Sequence, residues 1–489
     1  MTFLINFINC DFSNTFIKYK INIESEDITN YGIIYTPFDV VEEQLAQIPD
    51  HYFENPSLRW LDTGAGIGNY SIILFKRLYT GLATIIIDSD ERCRHIIEKM
   101  LFMIEVFPEH IKHLRKVFGE NANIIDRCFL SLEKSDFQNI GFDVFDGFDF
   151  IIGNPPYNIN GSIKTPTNSK LKKGDDGKTV YVDFVYKSLD LLKTGGFLNY
   201  IIPSLWLKPD KAGLYKRLTN LKIHYLTPFN TNDSQKLFKY QAQTPTCYFL
   251  IENCVEEGEK TIKIWDKYDK EYIDYRLLPE WPIPCYGITI LNKLIPYVEK
   301  YGNLSPYKSS TLKKNVKINT QQSKLYPHKN IYTCRLNGMQ PEIQYNWSDH
   351  ECQYSGKTKL VLAHKMYGFP FLDISGECGI SSRDNYVFLS EGLPNLEGDV
   401  DSLVDIQKYL STKFALFIFG TTNYRMRYLE RYAFEFIPDI RKIEGFSLKS
   451  LQCYKKIDNY IADFFKFTEG EREIIELFSR DYMFNNVKG

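Results

Sequence analysis

Two short segments of the chain combine residue types whose spacing suits chemistry on a bound ligand. The first, residues 62–68, reads Asp-Thr-Gly-Ala-Gly-Ile-Gly, so that a carboxylate precedes three glycines at alternate positions. Glycines such as Gly64 and Gly66 let a backbone turn approach a ligand where any Cβ would collide. Asp62 would accept a hydrogen bond from that ligand or oppose a positive group on it. A tight strand–helix connection without a ligand explains the same pattern.

The second segment follows an apolar run at 150–152 and reads Gly153-Asn154-Pro155-Pro156-Tyr157. Two consecutive prolines are poorly suited to the centre of a sheet, because each lacks the N–H that a ladder needs. They suit a strand end at which a rigid backbone points its carbonyls outward. Asn154 adds a side-chain carbonyl and Tyr157 an aromatic face. The segment therefore predicts a small cage of hydrogen-bond acceptors with a stacking surface.

Both segments are expected at strand ends, because the first half of the chain alternates β-branched runs with helical stretches, as a parallel α/β sheet does. The pattern predicts strands at 58–61, 83–87, 148–152, 197–202 and 246–252, and helices at 69–78, 91–107 and 182–192. Open α/β sheets bind ligands at the carboxyl ends of their strands. Asp88, at the tip of the predicted second strand, is therefore expected to bind a pair of ribose hydroxyls.

A second domain is predicted after residue 254, where the helix–strand alternation fades. Residues 279–284 carry three prolines, and 489 residues exceed what one domain of typically about 150 residues uses. We therefore expect an α/β domain over 1–254 and an α+β domain over 255–489. The later part is predicted to contain strands at 359–363 and 385–389 and helices at 404–419, 423–433 and 471–479.

Composition narrows the classes of function. Lys and Arg number 59 against 61 Asp and Glu, so no bulk positive field marks a nucleic-acid partner. A local patch is present, however, because residues 301–341 contain seven basic side chains and no acidic one. No run reaches the roughly 20 apolar residues of a membrane span, and no secretory leader is recognised. The aromatic content of 15% fits an aromatic core at least as well as base-stacking surfaces.

Ten cysteines are scattered without a Cys-x-x-Cys pair. This pattern is typical of reduced thiols in an intracellular, cytoplasmic protein and predicts no metal site.

The two chemical segments, in this order, resemble those of amino-group methyltransferases that use S-adenosylmethionine, in particular the N6-adenine DNA methyltransferases. The family's Asp/Asn-Pro-Pro-Tyr/Phe tetrapeptide is matched by residues 154–157. Tyr35-Thr36-Pro37, which ends 25 residues before Asp62, resembles the family's N-terminal segment that closes over the methionine end of the cofactor. This order is that of the gamma group, which includes TaqI-like and Eco57I-like enzymes of bacteria and large DNA viruses.

The resemblance implies a Rossmann-like methyltransferase domain with a mostly parallel seven-stranded sheet, followed by a target-recognition domain. It implies S-adenosylmethionine as the cofactor and double-stranded DNA as the partner of a monomer. A cognate restriction endonuclease on a separate chain and, for a viral protein, a location in the nucleus or a viral factory are compatible with it. The residues expected to bind the cofactor are Tyr35, Thr36, Pro37, Asp62, Gly64, Gly66, Asp88 and Asn154. The residues expected to contact DNA are Lys313, Lys314, Lys317, Arg335, Arg425 and Arg427.

The same resemblance implies that the tetrapeptide at 154–157 is catalytic. Its residues are Asn154, Pro155, Pro156 and Tyr157. The side-chain oxygen of Asn154 and the carbonyl of Pro155 would accept hydrogen bonds from the adenine amine, and Tyr157 would stack on the flipped base. Phe238 is the candidate for stacking on the second face, with a core position as its alternative. The family's acidic contact to the cofactor's adenine is not matched, since Cys128 falls there and Asp126 is left unassigned.

The sequence is also compatible with other functions. The tetrapeptide also occurs in enzymes that methylate a protein glutamine or a guanine in ribosomal RNA, and N4-cytosine methyltransferases are related. A catalytically inactive DNA-binding relative would retain the same fold. The 235 residues after residue 254, with their acid-free basic stretch, favour a large duplex substrate.

Overall fold

The computed structural model describes residues 35–138, 145–158, 179–239, 244–337, 340–364, 369–390, 400–424 and 429–481. The chain divides into two compact units, Met1–Trp265 and Asp266–Gly489. The division lies after residue 265 rather than after 254, because a strand at Lys260–Asp266 pairs with the sheet of the first unit.

In its described part, the first unit contributes eight strands to one sheet: β1 (Trp60–Asp62), β2 (Leu101–Ile104), β3 (Asn123–Ile125), β4 (Phe148–Gly153), β5 (Leu192–Pro203), β6 (Leu221–Pro228), β7 (Thr246–Val255) and β8 (Lys260–Asp266). Their order is β3-β2-β1-β4-β5-β7-β6-β8. Pairing is parallel from β3 through β5, antiparallel on both sides of β7, and parallel between β6 and β8. The mostly parallel α/β fold is thus confirmed, with β8 added to the seven strands expected.

The helices of this unit follow the strands in the alternation that parallel sheets require. They are α1 (Phe38–Leu45), α2 (Asn69–Gly81), α3 (Ser89–His95), α4 (Pro108–Phe118), α5 (Lys134–Gln138), α6 (Tyr181–Leu191), α7 (Leu214–Thr219) and α8 (Thr231–Leu237). Gly68, with φ +96°, precedes the first residue of α2, and Pro108 begins α4, where its missing N–H costs no hydrogen bond. Glycine and proline therefore determine where these two helices begin.

The predicted second strand at 83–87 is wrong. Leu82–Thr84 forms a single 3-10 turn, and the Ile85 and Ile87 side chains are 52% and 84% exposed. The strand lies at β2 instead, inside the predicted helix at 91–107, which is divided into α3, a π-helical turn (Ile96–Met100) and β2. A strand buried on both faces is a continuous apolar run, and hydrophobic periodicity does not separate such a run from a buried helix.

Aromatic rings fix the register of the strands that carry the chemical segments. Phe53 stacks on Trp60 with ring centroids 5.2 Å apart, Trp60 on Phe150 at 3.9 Å, and Phe150 on Phe197 at 5.0 Å. Trp60, Phe150 and Phe197 are also register partners on β1, β4 and β5. The stack therefore holds the carboxyl ends of β1 and β4 beside each other, and part of the aromatic content serves packing.

The second unit combines helices with two small sheets in its described residues. Its strands are β9 (Glu271–Leu277), β10 (Tyr307–Lys308), β11 (Ile318–Asn319), β12 (His328–Asn337), β13 (Gln340–Ser348), β14 (Lys359–Ala363), β15 (Phe371–Asp373), β16 (Gly379–Ile380) and β17 (Asn385–Leu389). One sheet has the order β10-β17-β14-β15 and the other β11-β13-β12-β16. Its helices are α9 (Ile288–Tyr301), α10 (Val400–Leu410), α11 (Lys413–Thr421), α12 (Tyr454–Phe464) and α13 (Glu469–Asp481).

Two of the predicted C-terminal helices differ from the structure. The helix predicted at 404–419 is two helices, because the Thr412 side chain caps α11 by accepting a hydrogen bond from the amide of Ala415. Within the described part of 423–433 there is no α-helix, and Arg431–Phe436 is a 3-10 helix. None of the described helices has the length and apolar character that crossing a membrane requires.

A buried ion pair joins β14 to β15 in the second unit. Lys359 and Asp373 have side chains that are 0% and 4% exposed, and Nζ lies 2.6 Å from Oδ2. The Asp373 carboxylate also accepts hydrogen bonds from the amides of Gly376 and Cys378. Removing only the lysine would leave a carboxylate buried without its cation.

We expect Lys359→Met to lower the free energy of unfolding by roughly 3–5 kcal/mol, because a broken buried pair leaves an uncompensated charge. Chemical denaturation followed by circular dichroism measures this. The control is Lys449→Met, which removes a lysine 3.9 Å from Asp401 in an exposed pair and should cost less than about 1 kcal/mol. Equal losses in the two variants would contradict the expectation.

Candidate active site

The carboxyl ends of β1 and β4 bring the two chemical segments together. Asp62, the last residue of β1, is the register partner of Ile152 on β4, so Gly153 and Asn154 follow directly beside the glycine turn. Gly153 has φ +138°, and a Cβ at this position would lie 3.3 Å from Oδ1 of Asp62. Both the backbone conformation and the close approach therefore favour glycine immediately before the tetrapeptide.

Asp62 is a buried carboxylate beside open space. Its side chain is 0% exposed; Oδ2 accepts a hydrogen bond from Oγ of Ser71 at 2.8 Å, and Oδ1 accepts one from the amide of Gly64 at 3.4 Å. Burial raises the pKa of Asp62 to about 7, although both hydrogen bonds act in the opposite direction. A Cβ built on Gly64 would meet no atom of the described residues within 4 Å. The ionised carboxylate would thus be stabilised by a cationic ligand.

Glu105, the residue after β2, anchors the glycine turn. Its Oε2 accepts a hydrogen bond from the amide of Gly66 at 2.7 Å, and its Oε1 accepts from the amides of Val106 and Phe107 at 2.7 and 2.9 Å. Burial would raise the pKa of Glu105, but His110 and the neighbouring amides together hold it below its ordinary value. The carboxylate is therefore ionised at neutral pH next to the turn.

Asp88 does not occupy the position that the sequence assigned to it. It is exposed and caps α3 by accepting a hydrogen bond from the amide of Glu91 at 2.7 Å. Because the second strand is β2, the carboxylate at the end of that strand is Glu105, which the sequence analysis missed. The sequence feature that could have identified Glu105 is its position directly after the apolar run 101–104. Asp126 follows β3 and, like Cys128, is exposed.

The Tyr35-Thr36-Pro37 segment contacts the glycine turn. The ring of Tyr35 lies 3.4 Å from the position of a Cβ on Gly66, and its hydroxyl shares a hydrogen bond with Nε2 of His110 at 3.0 Å. The carbonyl of Thr36 accepts a hydrogen bond from Nδ2 of Asn69, the first residue of α2, at 2.8 Å. Pro37 immediately precedes α1. The segment, the turn and the start of α2 therefore form one site.

Asn154 has one satisfied and one unsatisfied end. Its Nδ2 donates to Oγ1 of Thr36 at 3.1 Å, whereas Oδ1 is buried and has no hydrogen-bond partner among the described residues. The same holds for Oδ1 of Asn69 and for the hydroxyl of Tyr157. Buried acceptors without partners are costly. These oxygens are therefore well suited to a ligand that supplies N–H or O–H donors.

The other residues of the tetrapeptide are arranged around Asn154. Pro155 is buried and Pro156 is exposed. The Tyr157 ring meets the Tyr181 ring edge to face with centroids 6.3 Å apart, and burial raises the pKa of Tyr157 well above its ordinary value. Tyr157 is therefore a neutral phenol at any physiological pH.

Phe238 is not part of this site. Its ring is 2% exposed and belongs to the core cluster that contains Trp60 and Phe150. Of the two roles expected for Phe238, base stacking and a core position, the structure shows the core position, directly after α8. The sequence around Phe238, a polar helical stretch, did not indicate that its ring is buried, because the residues that bury the ring belong to β7 and to elements distant in sequence.

The basic candidates lie in the second unit. Lys313, Lys314 and Lys317 are exposed and form no ion pair with another described residue. Arg335 pairs with Glu342 on the neighbouring strand, with Nε 2.8 Å from Oε2. Arg425 and Arg427 lie outside the described residues.

Sequence comparison finds relatives among the methylases of restriction-modification systems. An uncharacterized adenine-specific methylase of Mycoplasma pneumoniae is 23% identical over 318 residues, which cover 49% of this chain and 70% of that protein. The modification methylase CviBIII of Paramecium bursaria Chlorella virus NC1A is 27% identical over 259 residues, which cover 52% of this chain and 57% of that protein. The match thus spans little more than half of the viral relative.

Structure comparison finds the Type IIL restriction-modification enzyme MmeI in complex with DNA, with 12% identity, a TM-score of 0.45 and coverage of 85% of this chain and 69% of that chain. Residues 85–238, which include Glu105 and the tetrapeptide, match the family model described as Eco57I restriction-modification methylase. This part of the chain, just under a third of its length, is therefore similar to the Eco57I restriction-modification methylase family.

Proposed function

We propose that the protein is a DNA methyltransferase that transfers a methyl group from S-adenosylmethionine to the N6 amine of adenine in duplex DNA. The observation that carries this proposal is the buried, unpartnered Oδ1 of Asn154 among the described residues, held next to the glycine turn at the carboxyl end of β4. The names of the two relatives, adenine-specific methylase and modification methylase, support it.

The residues of the first unit fit the proposed cofactor. S-adenosylmethionine carries a cationic sulfonium and an α-ammonium group. The structure offers the buried carboxylate of Asp62, Oδ1 of Asn69, which has no partner among the residues described, and the space that these residues leave at Gly64. Tyr35, Thr36, Pro37, Gly66 and Asn154 complete the proposed set of cofactor-binding residues. Glu105 replaces Asp88 as the candidate for the ribose hydroxyls, because it follows β2 and contacts the turn.

Asn154 and Pro155 would activate the amine. The lone pair of the adenine N6 is delocalised into the ring, so the amine is a poor nucleophile. If Oδ1 of Asn154 and the carbonyl of Pro155 each accept one N–H, the nitrogen is drawn toward tetrahedral geometry and its lone pair becomes available. The cofactor supplies an electrophilic methyl group, so that positioning provides most of the rate. A neutral Asn154 avoids an unpaired buried charge.

Tyr157 would hold the extruded base. The N6 amine of adenine lies inside the double helix, so the base has to be flipped into the protein before its amine meets Asn154. The aromatic ring directly after the two prolines provides a stacking surface at the correct end of β4. We propose Tyr157 for one face of the base and assign no residue to the other.

The second unit would bind the DNA. Lys313, Lys314 and Lys317 lie between β10 and β11 in the acid-free stretch 301–341. Oδ1 of Asp349 accepts a hydrogen bond from the backbone amide of Lys317, but none of the three lysine side chains forms an ion pair with a described residue. Exposed lysines of this kind neutralise backbone phosphates and supply affinity without base specificity. Arg335 is a weaker candidate because of its pair with Glu342. A separate restriction endonuclease and the monomeric state stay predictions.

Asn154→Ala tests the proposed function most simply, since it removes the acceptor but leaves the backbone of the tetrapeptide. We expect adenine methylation to fall at least roughly 100-fold, the loss typical of an acceptor or donor that acts in the transition state. Long-read modification mapping of DNA from cells expressing each protein measures it, with the exposed Asn121→Ala as the matched control. Methylated adenines at equal density in the parent and Asn154→Ala would refute the assignment.

Binding of S-adenosylmethionine should depend on pH through Asp62. Its pKa in the free protein is about 7, so the carboxylate is ionised above that pH and protonated below it. We expect the affinity constant to fall by about tenfold per pH unit below pH 7, because each binding event must then release a proton. Calorimetry between pH 5.5 and 7.5 measures this, and Asp62→Asn removes it. The same slope in the parent and Asp62→Asn would contradict the role of this carboxylate.

The triple variant Lys313→Ala/Lys314→Ala/Lys317→Ala tests the DNA surface. Each phosphate contact contributes about 0.9 to the slope of log K against log salt, so the slope should decrease by up to about 3 while the recognised sequence stays the same. Fluorescence anisotropy with duplex DNA over a salt series measures it. Lys449→Ala/Lys455→Ala/Lys456→Ala carries the same charge change at other exposed lysines. An equal decrease of the slope in this control variant would contradict the proposed DNA surface, because it would show that the slope depends only on the net charge of the protein.

A further inference from the structure

β12 and β13 form a long antiparallel hairpin in the second unit. In the described chain, β16 pairs with β12 only at 330–331 and β11 pairs with β13 only at 347–348, so the other strands of this sheet support one end of the hairpin. Residues 333–337 and 340–344 pair with each other beyond that end. They form what we call the distal ribbon, which has two strands and no third strand among the described residues.

One face of the hairpin is apolar. Ile331 and Cys334 on β12 are the register partners of Tyr345 and Ile343 on β13, and all four side chains belong to, or pack against, one hydrophobic cluster. The register shifts by one residue at Tyr332, so that the same face of β12 stays apolar on both sides of this bulge. Because successive side chains of a strand point to opposite faces, the residues next to these four lie on the other face.

The other face of the distal ribbon carries two rows of polar side chains. Arg335 is the register partner of Glu342, and Thr333 is that of Gln344. Arg335 is exposed and the other three are partly exposed. All four residue types hydrogen-bond to base edges in the major groove of DNA, and arginine on guanine is the commonest specific contact. The face therefore has the chemistry of a surface that recognises bases.

The guanidinium of Arg335 is held in place by its neighbours on this face. Its Nε donates to Oε2 of Glu342 at 2.8 Å. The amide of Gln344, with its oxygen turned toward Arg335, accepts a hydrogen bond from Nη2 at 2.8 Å. Within the described chain, donors remain on both Nη1 and Nη2, the pair that a bidentate contact to O6 and N7 of guanine uses.

The ion pair also distinguishes Arg335 from the lysines of the same unit. Arg335 and Glu342 are 44% and 36% exposed, and together they carry no net charge. A neutral pair adds little to the attraction for backbone phosphates, which depends on uncompensated positive charge. What the pair provides is a fixed direction for the guanidinium, and direction is what a contact to a base edge requires.

The surroundings of the hairpin fit a DNA duplex. The exposed Lys313, Lys314 and Lys317 precede β11, which pairs with β13 at the supported end of the hairpin. A major groove is about 12 Å wide and admits a two-stranded ribbon. Phosphates form the walls of the groove and base edges form its floor. Lysines at one end of the hairpin and an oriented arginine on its polar face match this arrangement.

We propose that the distal ribbon enters the major groove of the DNA, and that Arg335 determines specificity by contacting a guanine of the recognised sequence. Glu342 and Gln344 are positioning residues that orient its guanidinium. This inference rests on the proposed function, because it takes duplex DNA as the substrate. It adds to that function a division of roles, in which lysines supply affinity and one face of the ribbon selects the sequence.

Arg335→Ala tests the proposal, since the side chain is exposed and its removal leaves the apolar face of the ribbon intact. Duplexes with a randomised segment are selected by binding to the full chain and then sequenced. We expect the parent to select a sequence that contains guanine, and Arg335→Ala to lose roughly 10- to 100-fold of the preference at that base pair alone. The matched control is Arg276→Ala, which removes another arginine from a partly exposed pair, with Glu299, and should keep the preferences of the parent.

Two results would overturn the proposal. One is an equal fall in affinity for all duplexes with every preference unchanged, because Arg335 would then be a phosphate contact. The other is a loss of preference at every position, which would indicate a damaged fold rather than one missing base contact.

Glu342→Ala separates the orientation of Arg335 from its charge. Loss of the carboxylate makes the surface more positive, so affinity for a duplex without the selected sequence should rise. The guanidinium loses its fixed direction, so the preference for guanine at the position identified with Arg335→Ala should decrease. Fluorescence anisotropy with matched and mismatched duplexes measures both. A higher affinity with an undiminished preference would contradict the positioning role of Glu342.

Selection by binding does not depend on methyl transfer, so it separates this inference from the proposed function. If the parent selects a sequence but long-read mapping finds no methylated adenine, the proposed function fails and the selection still decides the role of Arg335. If the parent methylates adenines within one short sequence and Arg335→Ala methylates the same sequence, only this inference fails. A parent that selects no sequence overturns this inference as well.

Discussion

The hydrogen bond between Asn154 and Thr36 joins the parts of the first unit that the chemistry needs. It connects the end of β4 to the segment before α1, and Asn69 connects that segment to the start of α2 beside the glycine turn. Gly153 allows this arrangement because it has no side chain to keep β4 away from Asp62. The unpartnered Oδ1 of Asn154, within the described part of the chain, and the buried carboxylate of Asp62 are therefore consequences of one packing arrangement. Under the proposed function, this arrangement would place a cofactor beside a substrate amine.

The features that the sequence predicted correctly depend on residues with special backbone conformations, namely the glycines of the turn and the prolines at the strand end. The turn after β1 needs left-handed backbone at Gly66 and Gly68, which glycine provides, and the strand before the tetrapeptide is terminated by Pro155 and Pro156. The carboxyl ends of parallel strands lie at the same edge of a sheet. The alternation of strands and helices predicted a parallel sheet, and therefore predicted that the two segments lie close together. The strands predicted at 359–363 and 385–389 coincide with β14 and β17, because each is a short apolar run that is too short for a buried helix.

The features that escaped prediction depend on partners distant in the chain. β2 is apolar at every position, and only its burial between β1 and β3 distinguishes it from a helix, so Asp88 was chosen where Glu105 lies. The burial of Phe238 in a core built from many elements left no local trace.

The most direct test of the account is a crystal structure of the full chain with duplex DNA and sinefungin, a stable analogue of S-adenosylmethionine. We predict one cavity at the end of β4, in which Oδ1 of Asn154 accepts a hydrogen bond from N6 of an extruded adenine and the analogue lies against the turn at Gly64. A cofactor analogue bound on the opposite side of β4 from Asn154, or an adenine that remains stacked in the duplex with its amine far from Asn154, would contradict it.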